Sequence, residues 1–446
     1  MEKKLNLSQL VWIGTGHVIG AGVVSIVGSR LAATGYSVWL AFLVACILSF
    51  IRILPVVLFT SAVTVDGGRY GIITRCAGMR YGGLITLSSL LNWSRRGTAV
   101  MALCGYVADF LPGCNSKAIT LIIWLFFCGA NLFGLDVMSK IQSLATPMLL
   151  VALGSFSRIC IANTQPGYLD FSSPDMFSGG IGGFFTAVVL LSYSCDGIAS
   201  MANYAMETEK PERNIPMAMI IVTAITTVIY VAVGFASGAV LPLTESAGKT
   251  LTATAQTVLP PVLYNLFIIF GPVFALLTTM NAGIMDSALP VMAGVKEGWL
   301  PDWLARQNRF GAYYVAIGII AIIGSVPVIT GISVAQIASI TMALGALSAI
   351  LMLISAVNFP FVYKDKWEKS WLHIPLPCYF TIVFLCAVLE LFVVIKSLQE
   401  LTPTMAVLNI ALVLFCGLYG YIRGKNFNTD KKSKNIVEKM SPVLYN

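Results

Sequence analysis

Charge is what this chain has least of: Asp, Glu, Lys and Arg make up 11% of its 446 residues, while 57% are hydrophobic. A soluble domain carries roughly 25% charged residues, so this composition cannot clothe a surface in water, and lipid must cover it instead. Histidine is scarcer still, with 2 residues, too few for a zinc cluster. No G-x-x-x-x-G-K-[ST] loop occurs, which excludes that route to ATP hydrolysis, and neither a G-x-S-x-G elbow nor a paired-carboxylate site is present. Most of the 10 cysteines lie within apolar runs, none forms a C-x-x-C pair, and only Cys114 falls clearly in a loop. Buried cysteine behaves as a small hydrophobe, so neither a disulfide framework nor a metal site is indicated. No enzyme activity and no cofactor are expected.

What the chain has in abundance is long apolar runs. About twelve reach the roughly 20 residues that cross a bilayer as helix, near 10–32, 37–63, 84–111, 117–136, 141–162, 180–204, 214–241, 261–289, 311–331, 334–360, 372–396 and 402–422. Their continuity excludes the alternating ten-residue strands of a membrane barrel. The expected fold class is an all-α polytopic membrane protein. The first run follows Lys3 and Lys4 but continues without a cleavage pattern, so it reads as a retained span rather than a signal peptide.

Placing the N-terminus in the cytoplasm puts 20 of the 28 Lys and Arg residues on the inner side and 5 outside. That bias sets the orientation and predicts a multi-pass protein of the plasma membrane with both termini cytoplasmic. The net charge of +8 is thereby topology, not nucleic-acid binding. The expected organisation is a cytoplasmic N-terminus at 1–9, a ten-helix core at 10–360, peripheral helices at 372–422 and a basic tail at 423–446, whose "KKSKNIVEK" either touches anionic lipid or serves only to hold the orientation.

Two apolar runs carry weak points. The first contains "GHVIGAGVV", Gly16 to Val24, and a glycine costs about 1 kcal/mol in a helix interior. Helix is expected to unwind over Ile19, Gly20, Ala21 and Gly22. The sixth, "FFTAVVLLSYSCDGIASMANYAMETEKPERNIP", turns from apolar to polar at Ser192, Ser194, Asp196 and Gly197. Glycines also let helices pack closely, and Gly16 and Gly20 fit that spacing. Two interrupted spans at an offset of five, however, are what an inverted five-plus-five repeat requires, and such pairs point to a secondary-transporter site.

These residues resemble the amino acid–polyamine–organocation permeases. The first-helix pattern G-x-x-I-G-x-G-I-F is similar to "GHVIGAGVV", and E-x-x-N-P-x-R-x-I-P after the sixth helix to "ETEKPERNIP", Glu207 to Pro216. G-G-x-Y resembles "GGRY", Gly67 to Tyr70, and R-E-G-x-L-P resembles "KEGWLP", Lys296 to Pro301. The resemblance implies the leucine-transporter fold and alternating-access transport of an amino acid. It places the substrate carboxylate on Gly20, Ala21, Gly22 and Val23. The amine falls on carbonyls around His17 to Ile19 and of Tyr193, Ser194, Cys195 and Asp196, with Gly197 at the second break and Ile198 lining the side-chain pocket. Ala21 departs from the serine common there, which leaves carboxylate binding to backbone. The fifth-helix lysine of some members falls near Leu149, so that surrogate for sodium is absent. Thr278 and Thr279 offer a weak sodium candidate, against the alternative of bonds to their own helix.

Charges inside a span are functional by default. Asp196 either binds a substrate cation or moves a proton, or else pairs with Arg95 or Arg96, one of which alternatively lines the cytoplasmic vestibule as a coupling or gating residue. The first of these favours the runner-up reading, an exchanger of cationic amino acids or amines. A nontransporting sensor on the same fold is a more distant alternative. Asp286 belongs either to a proton path or inner gate or to an interhelical bond. His17, one turn from the break, is either a proton relay or a neutral ring bonded to a neighbouring helix. Arg52 and Glu390 also lie in apolar runs, from which long side chains can snorkel, and no role is assigned to them.

Overall fold

The computed structural model describes residues 4–399 and 401–427, apart from the side chains of a few helical residues that include Ala21, Gly22, Tyr193 and Asp196. Its regular structure is helical throughout, and the one β-bridge among the described residues joins Leu5 to Thr208. Among the described residues, eight helical segments are long and apolar enough to cross a membrane, and Ser116–Asn131 and Tyr314–Thr330 are shorter apolar helices. The third span is divided into Gly82–Leu91 and Arg96–Phe110 by a 3-10 turn, Asn92–Arg95. The first is divided into Leu7–Val18 and Ala21–Thr34.

The remaining spans follow the apolar runs closely: Val38–Ala62, Leu135–Ala162, Pro211–Ala239, Leu376–Gln399 and Pro403–Phe427 are the second, fifth, seventh, eleventh and twelfth. The eighth contains a π-helical turn, Ile269–Val273, between Pro261–Ile268 and Phe274–Lys296. Pro272 lies inside that turn and has no N–H to give the helical ladder, a common cause of such a local change of winding. The tenth span likewise restarts at Thr341, between Val334–Ile340 and Met342–Val362. The 63–83 connection holds a short helix, Arg69–Cys76, which the apolar pattern did not announce.

Burial sorts the spans. The most apolar windows of 26–62 and of the sixth span are 56% buried, against 22% and 17% for the eleventh and twelfth. Phe384, Leu391, Leu414 and Leu418 of those last two helices stay exposed, as lipid-facing residues do. Arg52 Nε meets Glu390 Oε1 at 2.9 Å, tying the second span to the eleventh. In hydrocarbon, pairing relieves both charges more cheaply than two separate paths to the interface.

Candidate functional site

The first span breaks over only two residues. The N–H of Ile19 closes the first half on Thr15 O at 2.9 Å, and Gly20 then takes φ −141°, ψ −140°, outside the helical region. Helix resumes at Ala21, with the Val23 N–H on Gly20 O at 3.2 Å. The interruption is therefore shorter than the four residues expected, because Ala21 and Gly22 already belong to the second half. A helix ending and another beginning at one point set the negative end of one dipole beside the positive end of the next.

Other spans supply groups to the carbonyls freed there. The Tyr230 hydroxyl, from the seventh span, lies 2.8 Å from Val18 O and 3.0 Å from Ser194 O, so its single proton is shared between the first span and the sixth. Thr279 Oγ1 lies 3.4 Å from both Gly16 O and His17 O, at the long limit of a hydrogen bond. Tyr106 adds a further hydrogen bond at 2.8 Å to Val24 O, within the resumed helix. A Cβ on Gly20 would fall 2.0 Å from Thr279 Oγ1, so this approach requires glycine. Thr278, by contrast, bonds the carbonyls of its own helix, Phe274 and Ala275, at 2.9 and 3.1 Å.

The sixth span is interrupted in another way. Its α-helix, Gly180–Ser192, passes directly into a 3-10 helix, Tyr193–Glu207. Expectation put a local break at Asp196-Gly197; instead the winding tightens for 15 residues. Runs of 3-10 helix beyond three or four residues are uncommon and often mark strain or a hinge. Ser49 Oγ reaches Ser192 O at 3.2 Å where the winding changes, and Cys46 Sγ lies 3.7 Å from Cys195 Sγ. Ser194, Cys195 and Ile198 are buried. The side chains of Tyr193 and Asp196, like those of Ala21 and Gly22, lie outside the described residues.

Below the first break a polar node joins four spans. His17 Nε2 lies 3.5 Å from Asp286 Oδ2 of the eighth span, the two side chains being 11% and 12% exposed. Asn203, in the 3-10 helix, donates to Asp286 Oδ1 at 2.8 Å. Arg96 of the third span donates to Gly283 O at 3.3 Å, and Tyr204 to Ala282 O at 3.2 Å. The imidazole also packs on the sixth span, where a Cβ at Gly197 would meet His17 Cδ2 at 2.9 Å. Arg95 is exposed. On the far side of the first span a neutral chain links Asn131 to Asn281 at 3.0 Å, Asn281 to Gln142 Oε1 at 3.0 Å, and Gln142 to Thr278 O at 3.3 Å.

The face that carries the N-terminus is closed by paired segments. Leu5 exchanges backbone hydrogen bonds with Glu207 and Glu209 at 2.8 and 2.9 Å. Lys296 Nζ meets Asp66 at 2.9 Å, Arg75 meets Glu297 at 3.1 Å, and the Tyr70 hydroxyl donates to the same carboxylate. The "GGRY" and "KEGWLP" stretches thus touch each other. Burial raises the Glu297 carboxyl above the usual carboxylate range, with the Tyr70 hydrogen bond and the Arg75 charge pulling the other way.

Three features escaped sequence reasoning: the Tyr230 bridge, the Asn203 contact and the pairing of His17 with Asp286. A lone tyrosine in the apolar run "TTVIYVAV" and a lone amide in "ASMANYAME" were visible as polar exceptions, but nothing in the sequence names their partners.

Taken together, these features define a polytopic helical membrane protein whose first and sixth spans are both interrupted and joined by one tyrosine hydroxyl. A family model described as amino acid permease matches residues 5–416, and the chain belongs to that family. Its work is accordingly amino acid transport. It is 28% identical over 323 residues to an uncharacterized protein of Methanocaldococcus jannaschii, covering 69% of this chain and 72% of that one. It is 22% identical over 335 residues to the branched-chain amino acid permease BcaP of Bacillus subtilis, covering 69% and 70%. A vacuolar cationic amino acid transporter 2 of Arabidopsis thaliana is 22% identical over 332 residues, covering 69% of this chain and 52% of the plant protein.

Proposed function

We propose that this protein is a secondary transporter that carries amino acids across the plasma membrane by alternating access, with both termini cytoplasmic and residues 10–360 as the transport core. The observation that carries the reading is the chain break at Ile19-Gly20, which sets two opposed helix ends inside an apolar span. A helix N-terminus attracts anions and a C-terminus cations. The substrate carboxylate accordingly binds the N–H groups of Gly20, Ala21, Gly22 and Val23. Its amine binds the carbonyl end of the first half-helix and the backbone of Tyr193, Ser194, Cys195 and Asp196, and Ile198 lines the side-chain pocket. The neutral chain through Gln142 and the own-helix bonds of Thr278 weigh against sodium between the first and eighth spans.

Neutral branched-chain substrates come first, since the pocket residues Ile198, Val23 and Val24 are buried and apolar. An amine or cationic amino acid exchanger is the second reading, favoured by the carboxylate of Asp196 inside the sixth span. Counterflow of labelled L-leucine and L-arginine in proteoliposomes tests both. Exchange of leucine supports the first reading, and arginine exchange that Asp196→Asn abolishes supports the second. If neither solute exchanges in protein that is folded by thermal unfolding, transport by this route fails.

A further inference from the structure

We infer that His17 and Asp286 form the proton-binding site that couples transport to a pH gradient, with the proton carried on the imidazole of the first half-helix. The inference rests on the transport reading above for its purpose, though not for its geometry. Nε2 of His17 faces Asp286 Oδ2 at 3.5 Å, and on that orientation the neutral ring's hydrogen is assigned to Nε2. That leaves Nδ1, a buried nitrogen with no hydrogen bond of good geometry on a ring that also lies against the Thr279 backbone, as the place where a proton adds. Loading breaks one O–H bond of a hydronium ion and forms one N–H bond, leaving water behind; unloading reverses both changes, and no other bond is involved.

The surroundings fit a proton better than a permanent ion pair. Among the described side chains, the charged groups facing the ring are Asp286 from the eighth span and Arg96 from the third, with Arg95 further out. The sixth span adds the neutral amide of Asn203 on Asp286 and the hydroxyl of Tyr204 on Ala282 O, and the seventh adds the Tyr230 hydroxyl on Val18 O. Gln142 and Thr146 of the fifth bond Thr278 O and Trp12 O on the far side of the first span. Asp286 and Arg96 already cancel, so a proton on His17 makes the buried node net positive. A substrate carboxylate at Gly20, three residues along the same span and across the break, offsets that charge. Two opposite charges cost less to bury together than apart, and linkage makes the effect mutual: the proton tightens substrate and the substrate tightens the proton. The ring is also placed to report the conformational state, since it packs on Gly197 of the sixth span while facing the eighth.

The chain has 2 histidines, so His373→Gln leaves one imidazole to observe. The test is nitrogen-15 histidine NMR of this full-length variant in nanodiscs, titrated between about pH 5 and pH 8, the range in which imidazole ordinarily changes charge. The expected result is a reversible passage from the Nε2–H tautomer to imidazolium. Saturating L-leucine moves the midpoint upward by a few tenths of a pH unit or more, and Asp286→Asn moves it downward. In proteoliposomes, leucine accumulation driven by an inward proton gradient falls to the gradient-free level in His17→Gln and in Asp286→Asn. A ring that keeps one neutral tautomer throughout, or a midpoint indifferent to Asp286→Asn, overturns the inference even if the variants transport poorly. Gradient-driven accumulation retained by His17→Gln overturns it too. A ring that titrates with Asp286 dependence while no common L-amino acid binds or accumulates leaves the proton site standing and removes the transport reading instead.

Discussion

The first and sixth spans are interrupted by opposite means. The first stops over Ile19 and Gly20 and starts again, so its two halves meet as separate helices. The sixth never leaves helical winding; it tightens from Ser192 onward and stays tight to Glu207. A stop concentrates unpaired backbone groups at one point, whereas a 3-10 stretch spreads poorer hydrogen-bond geometry over many residues. The first span therefore depends on a few contacts, and the sixth on many small ones.

Substitutions that fill the two approaches should separate them most. Gly20→Ala sets a Cβ 2.0 Å from Thr279 Oγ1 and is expected to cut leucine uptake at least a hundredfold, with partial recovery in Gly20→Ala/Thr279→Ala. Gly197→Ala meets the edge of the His17 ring at 2.9 Å and Val18 Cγ2 at 3.0 Å, a milder approach than the one at Gly20, and should cost about tenfold. Equal losses at the two positions would erase the contrast.

Next comes the link between them. Tyr230→Phe strips a donor from Val18 O and Ser194 O together, and a buried acceptor left unsatisfied costs about 1–3 kcal/mol. Thermal unfolding of the purified variant should show it as a fall in midpoint. Single-ended changes should cost less and unequally: Tyr106→Phe, which removes the side-chain donor on Val24 O in the resumed helix, more than Ser49→Ala, whose partner Ser192 O adjoins the continuous winding. Each is expected near 1 kcal/mol, and a larger loss for Ser49→Ala would show that the sixth span too has a single weak point.

The smallest effect lies outside both spans and serves as a control. The Glu297 carboxyl is raised in the folded protein. The folded state then binds more protons than the unfolded one between the ordinary glutamate value and the raised value, so stability falls as pH rises through that window. Glu297→Gln should flatten this part of the midpoint–pH curve and leave the Gly20 and Gly197 losses unchanged.

Sequence periodicity and glycine spacing were enough to place the spans and the first break to within a few residues. Gly20 was legible because a flexible residue in an apolar run has a cost that needs a reason. The form of the second interruption was not, since α and 3-10 windings differ in which carbonyl each N–H reaches, and composition does not record that. Arg52 and Glu390 were visible as charges but not as a pair, being 338 residues apart. His17 and Asp286 each drew attention singly, yet only the packing of the first span between the sixth and eighth makes them neighbours.

The Leu5 pairing with Glu207 and Glu209 has a consequence for how such a chain can vary. It is made by peptide groups, so the side chains at these positions can drift without severing it. Proline is the exception, because it brings no N–H. A Leu5→Pro chain would keep its apolar segment while losing the Leu5 N–H bond to Glu207 O, cutting that strap between the N-terminus and the tight helix.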